Sequence, residues 1–167
     1  MQAHSIEEKT NYRPLMAVIG ITLWASISLQ AGVDGFNAMQ LMNHAMGIFF
    51  LLLAMFKLFD LNGFADGFQM YDIVAKKLRG YAYAYPFIEL ALGALYLSGQ
   101  LPVFTNLLTL VVMTISASGV FISMKRGYKF KCACLGTVLN VPLSTVSLVE
   151  NLGMGVMAAY MLMTIMN

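Results

Sequence analysis

Cys132 and Cys134 are the chain's two cysteines, one residue apart in Tyr128-Lys129-Phe130-Lys131-Cys132-Ala133-Cys134-Leu135-Gly136. In an extended segment side chains alternate, so both thiols point to one face. Their Cα atoms then stand about 7 Å apart, at or beyond the reach of a disulfide. A turn at Ala133 closes the bond only through a small, strained and easily reduced ring. Such a pair suits thiol–disulfide exchange, or capture of a soft metal between two thiolates, better than a structural staple. Lys129 and Lys131 favour the thiolate, the reactive species in both chemistries. The plain alternative is a pair of inert, reduced cysteines serving as small hydrophobes. The spacing and the lysines weigh against it.

A second set of candidates is Lys57, Glu89 and Glu150, each within an otherwise apolar run. Charges in lipid are costly and usually face a partner or a cavity. Glu89 and Glu150 lie about eight residues from the basic ends of their runs, hence roughly 10–12 Å deep at helical rise, and Lys57 is near that level. One inward-facing cluster beneath the cysteine loop is expected, with Glu89 or Glu150 available to relay protons. Two simpler readings compete. Ser147-Leu148-Val149-Glu150 fits a capping box at a helix start, and Lys57 can snorkel to the interface.

The fourteen methionines are a third set. Glu150, Met154, Met157 and Met161 share a helical face, while Met39, Met42, His44 and Met46 gather near the opposite side of the membrane. Thioethers and imidazole on one side, with thiolates on the other, would make a path for Cu(I) or a similar soft ion such as Hg(II). Adaptable apolar filler between helices is the weightier explanation.

The elements that must position these groups follow from composition. Of 167 residues, 59% are hydrophobic and 11% charged, against about 25% charged in soluble domains. So few charges cannot cover a soluble surface. The apolar residues form runs near the roughly 20 residues that cross a bilayer, at 15–33, 41–59, 82–99, 103–124 and 143–166. A signal peptide cleaved near Leu29-Gln30-Ala31 competes for the first run, whose length favours an uncleaved helix. Asp34-Gly35, Asn62-Gly63 and Gln100-Leu101-Pro102 mark turns.

Residues 64–79 are too polar to span. Phe64, Phe68, Tyr71 and Leu78 recur at helical spacing opposite Asp66, Gln69, Asp72, Lys76 and Arg79, which predicts an amphipathic helix on the membrane surface. Tyr81, Tyr83 and Tyr85 suit the headgroup belt above the third span. The expected fold is all-α, a polytopic bundle of five transmembrane helices and one interfacial helix, as a single domain over 1–167. With that topology all ten basic residues fall on one side: Lys9, Arg13, Lys57, Lys76, Lys77, Arg79, Lys125, Arg126, Lys129 and Lys131. By the positive-inside rule the N-terminus and the thiols are cytoplasmic and the C-terminus is periplasmic.

Cys132-Ala133-Cys134-Leu135-Gly136, then Pro142-Leu143-Ser144 and a final span, resembles the MauE/DoxX-like redox-associated membrane proteins, whose pattern is close to C-G-C-F-G followed by a Pro-Leu-Ser-type helix start. Gly47-Ile48-Phe49-Phe50 through Lys57-Leu58-Phe59-Asp60 and Gly63-Phe64 is similar to that group's second-helix motif. The resemblance covers residues 41–166 and implies a bacterial inner-membrane bundle tied to thiol–disulfide chemistry. In methylamine utilisation such a protein supports maturation of a disulfide-rich dehydrogenase subunit. The family core is usually four helices, which makes the first span an addition. Thiols on the reducing cytoplasmic side weaken a role in oxidising exported proteins directly.

The leading expectation is a membrane protein whose Cys132 and Cys134 cycle between dithiol and disulfide against a protein thiol partner. With one cysteine pair, electron transfer across the membrane would need a quinone or another partner. The rival is a soft-metal transporter or metallochaperone served by a metal-carrier partner. A third reading is an accessory subunit without chemistry of its own. The sequence has no P-loop or Rossmann glycine pattern and two histidines, His4 and His44, so it gives no support to nucleotide binding, hydrolysis or a nucleic-acid partner.

Overall fold

The computed structural model describes residues 13–32, 35–125 and 143–167, with side chains described for 15–32, 35–125 and 147–167. Six helices follow in order: α1 Arg13–Ala31, α2 Ala38–Phe59, α3 Leu61–Gln69, α4 Arg79–Ser98, α5 Pro102–Lys125 and α6 Leu143–Met166. Among the described residues all regular structure is helical.

Local chemistry sets the helix ends. Asn37 Oδ1 accepts from the backbone N–H groups of Met39 (3.0 Å) and Gln40 (3.2 Å) and so starts α2. Asp60 stands at the end of α2, and its Oδ1 accepts from the Gly63 N–H at 2.9 Å to start α3. Gly99, at φ 64°, takes the left-handed conformation that closes α4. Pro102 then opens α5, where its missing N–H costs nothing.

The molecule is an all-α polytopic bundle. Ala38–Phe59, Pro102–Lys125 and Ser147–Met166 are long and apolar enough to cross a membrane. The apolar stretch of α1, Leu15–Ala31, is shorter. Helix α4 is 20 residues long but carries Arg79, Tyr81, Tyr83, Tyr85, Pro86 and Glu89, which dilute its apolar character.

Burial is inverted relative to a soluble protein. On α1 the buried stripe is Val18, Thr22, Ser26 and Gln30, while Met16, Leu23, Trp24 and Ile27 are exposed. The Thr22 and Ser26 hydroxyls donate to the carbonyls of Val18 (2.8 Å) and Thr22 (2.6 Å), which satisfies them without water. Helix α5 likewise buries Thr105, Asn106, Thr109, Ser116 and Ser123 and exposes Phe104, Leu107, Val111 and Phe121. Polar groups seek partners between helices when the surroundings are hydrocarbon.

Two helix pairs make the bundle: α2 packs on α4, and α5 on α6. Smaller contacts of α4 with α5 and of α2 with α6 join them, while α1 lies on α2 and α3 on α4. Gly47 and Gly93 allow the α2–α4 approach. A Cβ at either position would stand 3.0 Å from the other's carbonyl oxygen, and at Gly93 also 2.9 Å from the Leu51 side chain. Backbone cannot yield as a side-chain tip can. Gly93→Ala should therefore lower stability by about 1–3 kcal/mol through overpacking. Gly20→Ala, with nothing within 4 Å of the added Cβ, should be neutral or slightly stabilising, since Gly in a helix costs about 0.5–1 kcal/mol relative to Ala. Thermal unfolding in detergent micelles checks both.

The segment expected as one amphipathic helix over 64–79 is built differently. Helix α3 ends at Gln69, and the chain reaches α4 through successive turns. Asp72, assigned by periodicity to the solvent face, is fully buried. Its Oδ1 accepts from the N–H groups of Val74 (2.9 Å) and Ala75 (2.8 Å), a local alternative to the helix ladder. Gly119 on α5 lets this turn come close, because a Cβ there would meet the Tyr71 carbonyl oxygen at 2.8 Å.

Candidate functional site

Cys132, Cys134, Lys129 and Lys131 lie outside the described residues. The structure does define the charged centre. Lys57, in the last turn of α2, and Glu89, on α4, are each 2% exposed. The Lys57 Nζ donates to Glu89 Oε1 in a buried ion pair. Lys57 therefore does not snorkel to the interface.

An aromatic box encloses the ammonium. Its nitrogen sits 5.0 Å from the Tyr85 ring centroid and 5.5 Å from that of Phe64. Phe64 stacks on Phe68 at 5.1 Å, and Phe68 meets Tyr85 at 4.5 Å and Tyr71 at 5.4 Å. The Asp60 cap lets α3 begin directly after α2, and that brings Phe64 over the ammonium, with Phe68 packed behind it. Desolvating two charges costs several kcal/mol per ion before compensation. The direct bond and the two ring faces provide that compensation.

Glu150 belongs to the other half of the bundle. It is half-buried on α6, beside Asn151, whose Nδ2 donates to Ser116 Oγ on α5 at 3.1 Å. Among the described residues no Cα of α6 lies within 8 Å of one on α4. The structure thus brings Lys57 and Glu89 together, while Glu150 lies on α6, which packs mainly on α5.

Met46, Met154 and Met161 are buried in the main core, and Met39, Met42 and Met157 pack against it, among Phe50, Leu92 and Met113. That is how apolar filler behaves. His44 is half-buried, with no hydrogen-bond partner for Nδ1. Among the described residues no three His, Cys, Asp or Glu side chains gather as a metal ligand set.

Two polar features are not anticipated by the sequence pattern. Tyr96 Oη donates to Asn106 Oδ1 at 2.9 Å and stands 3.1 Å from Thr109 Oγ1, tying α4 to α5 inside the bundle. The spacing of Asn106 and Thr109, one helical turn apart in an apolar run, was the available signal. The other is Asp72, whose Oδ2 is buried without a hydrogen-bond partner.

Burial pushes the Asp72 carboxyl above its ordinary value, against the opposing pull of the Ala75 and Val74 N–H groups and of Lys76. The folded chain therefore binds this proton more readily than the unfolded chain. The resulting contribution to stability is full below the unfolded value of 3.8 and is lost as pH rises through the higher folded value. Asp72→Asn should remove that pH dependence while keeping the Oδ1 acceptor, and should be at least as stable as wild type at pH 7. Asp72→Ala, which strips both N–H bonds, should cost about 1–2 kcal/mol. Unfolding midpoints across a pH series separate the two.

The family model for methylamine utilisation protein MauE matches residues 36–164 of the chain. The chain belongs to the MauE family. The MauE match begins after α1 ends and runs from α2 into α6. It takes in the Lys57–Glu89 pair, the aromatic box, the Asp72 turn and both cysteines. Searches of curated proteins and of solved structures give no match.

Proposed function

We propose that this MauE-family protein carries out thiol redox chemistry at the membrane through Cys132 and Cys134, in support of a partner protein's maturation. The observation that carries the reading is the MauE match itself, which encloses the Cys-x-Cys segment. In this reading α1 and α4 complete five spans, and the one-sided distribution of Lys and Arg orients the thiols to the cytoplasm.

One thiolate attacks a partner's disulfide, forming a mixed disulfide and releasing one partner thiolate. The second thiolate attacks the bridged sulfur on its own chain. The Cys132–Cys134 bond forms and the partner leaves as a dithiol, so two electrons pass to the partner. The reverse sequence oxidises a partner dithiol. Lys129 and Lys131 favour the thiolate form, and the Lys57–Glu89 pair anchors the α2–α4 half of the bundle.

Acid quenching of intact cells, followed by alkylation with a mass-tagging maleimide, tests the proposal. A redox-cycling pair gives a mixture of tagged and untagged protein that responds to added oxidant. A pair that stays fully tagged under every condition would overturn it. A second reading, delivery of Cu(I) or Hg(II), draws on the Cys-x-Cys pair as two soft thiolate ligands. Tight Cu(I) binding by the reduced protein, lost in the Cys132→Ser, Cys134→Ser variant, would carry that reading. No binding above background would remove it.

A further inference from the structure

We propose that the turn segment between α3 and α4 is a docking surface for anionic phospholipid headgroups. Its inward side is fixed. Tyr71, Asp72 and Ala75 are 2%, 0% and 0% exposed, and the Asp72 carboxylate holds the turn through two backbone bonds. The backbone of Tyr71 and Asp72 rests on α5 at Gly119. Side chains on the outward side are therefore presented from a rigid base.

That outward side combines two chemistries. Met70, Ile73 and Leu78 are exposed apolar groups, at 53%, 40% and 61%. Between them Lys76 and Lys77 are exposed, and neither has an ion-pair partner among the described residues. The acidic groups nearby are engaged: Asp66 pairs with Arg79 at 2.9 Å, Asp60 caps α3, and Asp72 faces inward, feeling Lys76 without forming an ion pair with it. Lys125 ends α5 about 9 Å along the axis from the Gly119 contact, at helical rise, and adds to the same positive field.

Apolar side chains that reach the acyl boundary, with ammonium groups beside them at headgroup level, define an interfacial lipid contact. An acidic protein would satisfy the lysines but leave Met70, Ile73 and Leu78 in water. A neutral bilayer would accept the apolar groups but leave the lysines without partners. An anionic phospholipid satisfies both.

The test is lipid retention by the purified full-length protein, measured by native mass spectrometry from micelles containing phosphatidylglycerol and phosphatidylcholine. Wild type should retain phosphatidylglycerol preferentially, and raising the salt should weaken the preference. Each lysine near an anionic surface contributes roughly fivefold in affinity, so Lys76→Gln with Lys77→Gln should reduce the preference by about 25-fold. Both residues are exposed, so the variant should keep the wild-type helical circular dichroism. Equal retention of the two lipids by wild type would overturn the proposal, as would an undiminished preference in the double variant.

Discussion

Glu89→Leu should destabilise the bundle by about 3–5 kcal/mol, the usual consequence of leaving one member of a buried ion pair unmatched. Lys57 cannot escape to water in that variant: it is 2% exposed, and Phe64 and Tyr85 lie within 5.5 Å and 5.0 Å of its nitrogen. Lys57→Met should cost a similar amount, because the Glu89 carboxylate is then the stranded charge. The double variant Lys57→Met, Glu89→Leu removes both charges and keeps most of the volume. It should recover most of the loss, since well-packed apolar replacements of buried pairs are often neutral or stabilising. The signature is strong non-additivity: the two single losses sum to about 6–10 kcal/mol, while the double variant stays near wild type, so most of that sum is coupling between the sites. Chemical denaturation in mixed micelles supplies the four numbers. Two small, additive single effects would mean that water reaches the pair and that the aromatic box does not seal it.

The Lys57–Glu89 pair was legible in the sequence because its cause is local. A charge inside an apolar run must find an opposite charge, and few were at that depth. Glu150 met the same criteria, and it lies on α6, whose main packing partner is α5. Which helices pack together depends on features such as the Gly47–Gly93 approach, and two small residues on distant helices announce no pairing. Asp72 misled for a related reason. Periodicity over 64–79 assigned it to a polar face, but an Asp can exchange the helix ladder for bonds to its own backbone. Whether it does so here depended on Gly119, 47 positions further along. The apolar spans at α2, α5 and α6 were readable because bilayer thickness sets one length for all of them. The buried Thr22, Ser26 and Thr109 were not, because a hydroxyl facing inward leaves almost the same sequence pattern as one facing lipid while bonded to its own helix.

Replacing Cys132 and Cys134 together by serine should abolish the cellular function, whereas the single variants should fail in different ways. In a relay of two thiols only one attacks the partner, and the other resolves the mixed disulfide. The variant that retains the attacking cysteine should accumulate a mixed disulfide, seen as a higher-mass band on a non-reducing gel that collapses on reduction. The variant that retains only the resolving cysteine should show none, and neither should the double variant. Partner maturation should fall to background in all three, a loss of at least about tenfold, because resolution is intramolecular and has no comparable substitute. The lysines modulate this effect. Lys129→Gln with Lys131→Gln removes two positive charges from beside the thiols and should raise their pKa, so that alkylation below pH 8 slows by about threefold while the rate at high pH is unchanged. A soft-metal site would behave differently. Either single substitution would weaken metal binding, no mixed disulfide would form, and the lysines would matter little once metal had displaced the thiol protons. The three cysteine variants, compared on one non-reducing gel, thus separate electron exchange from metal capture even while the partner is unidentified.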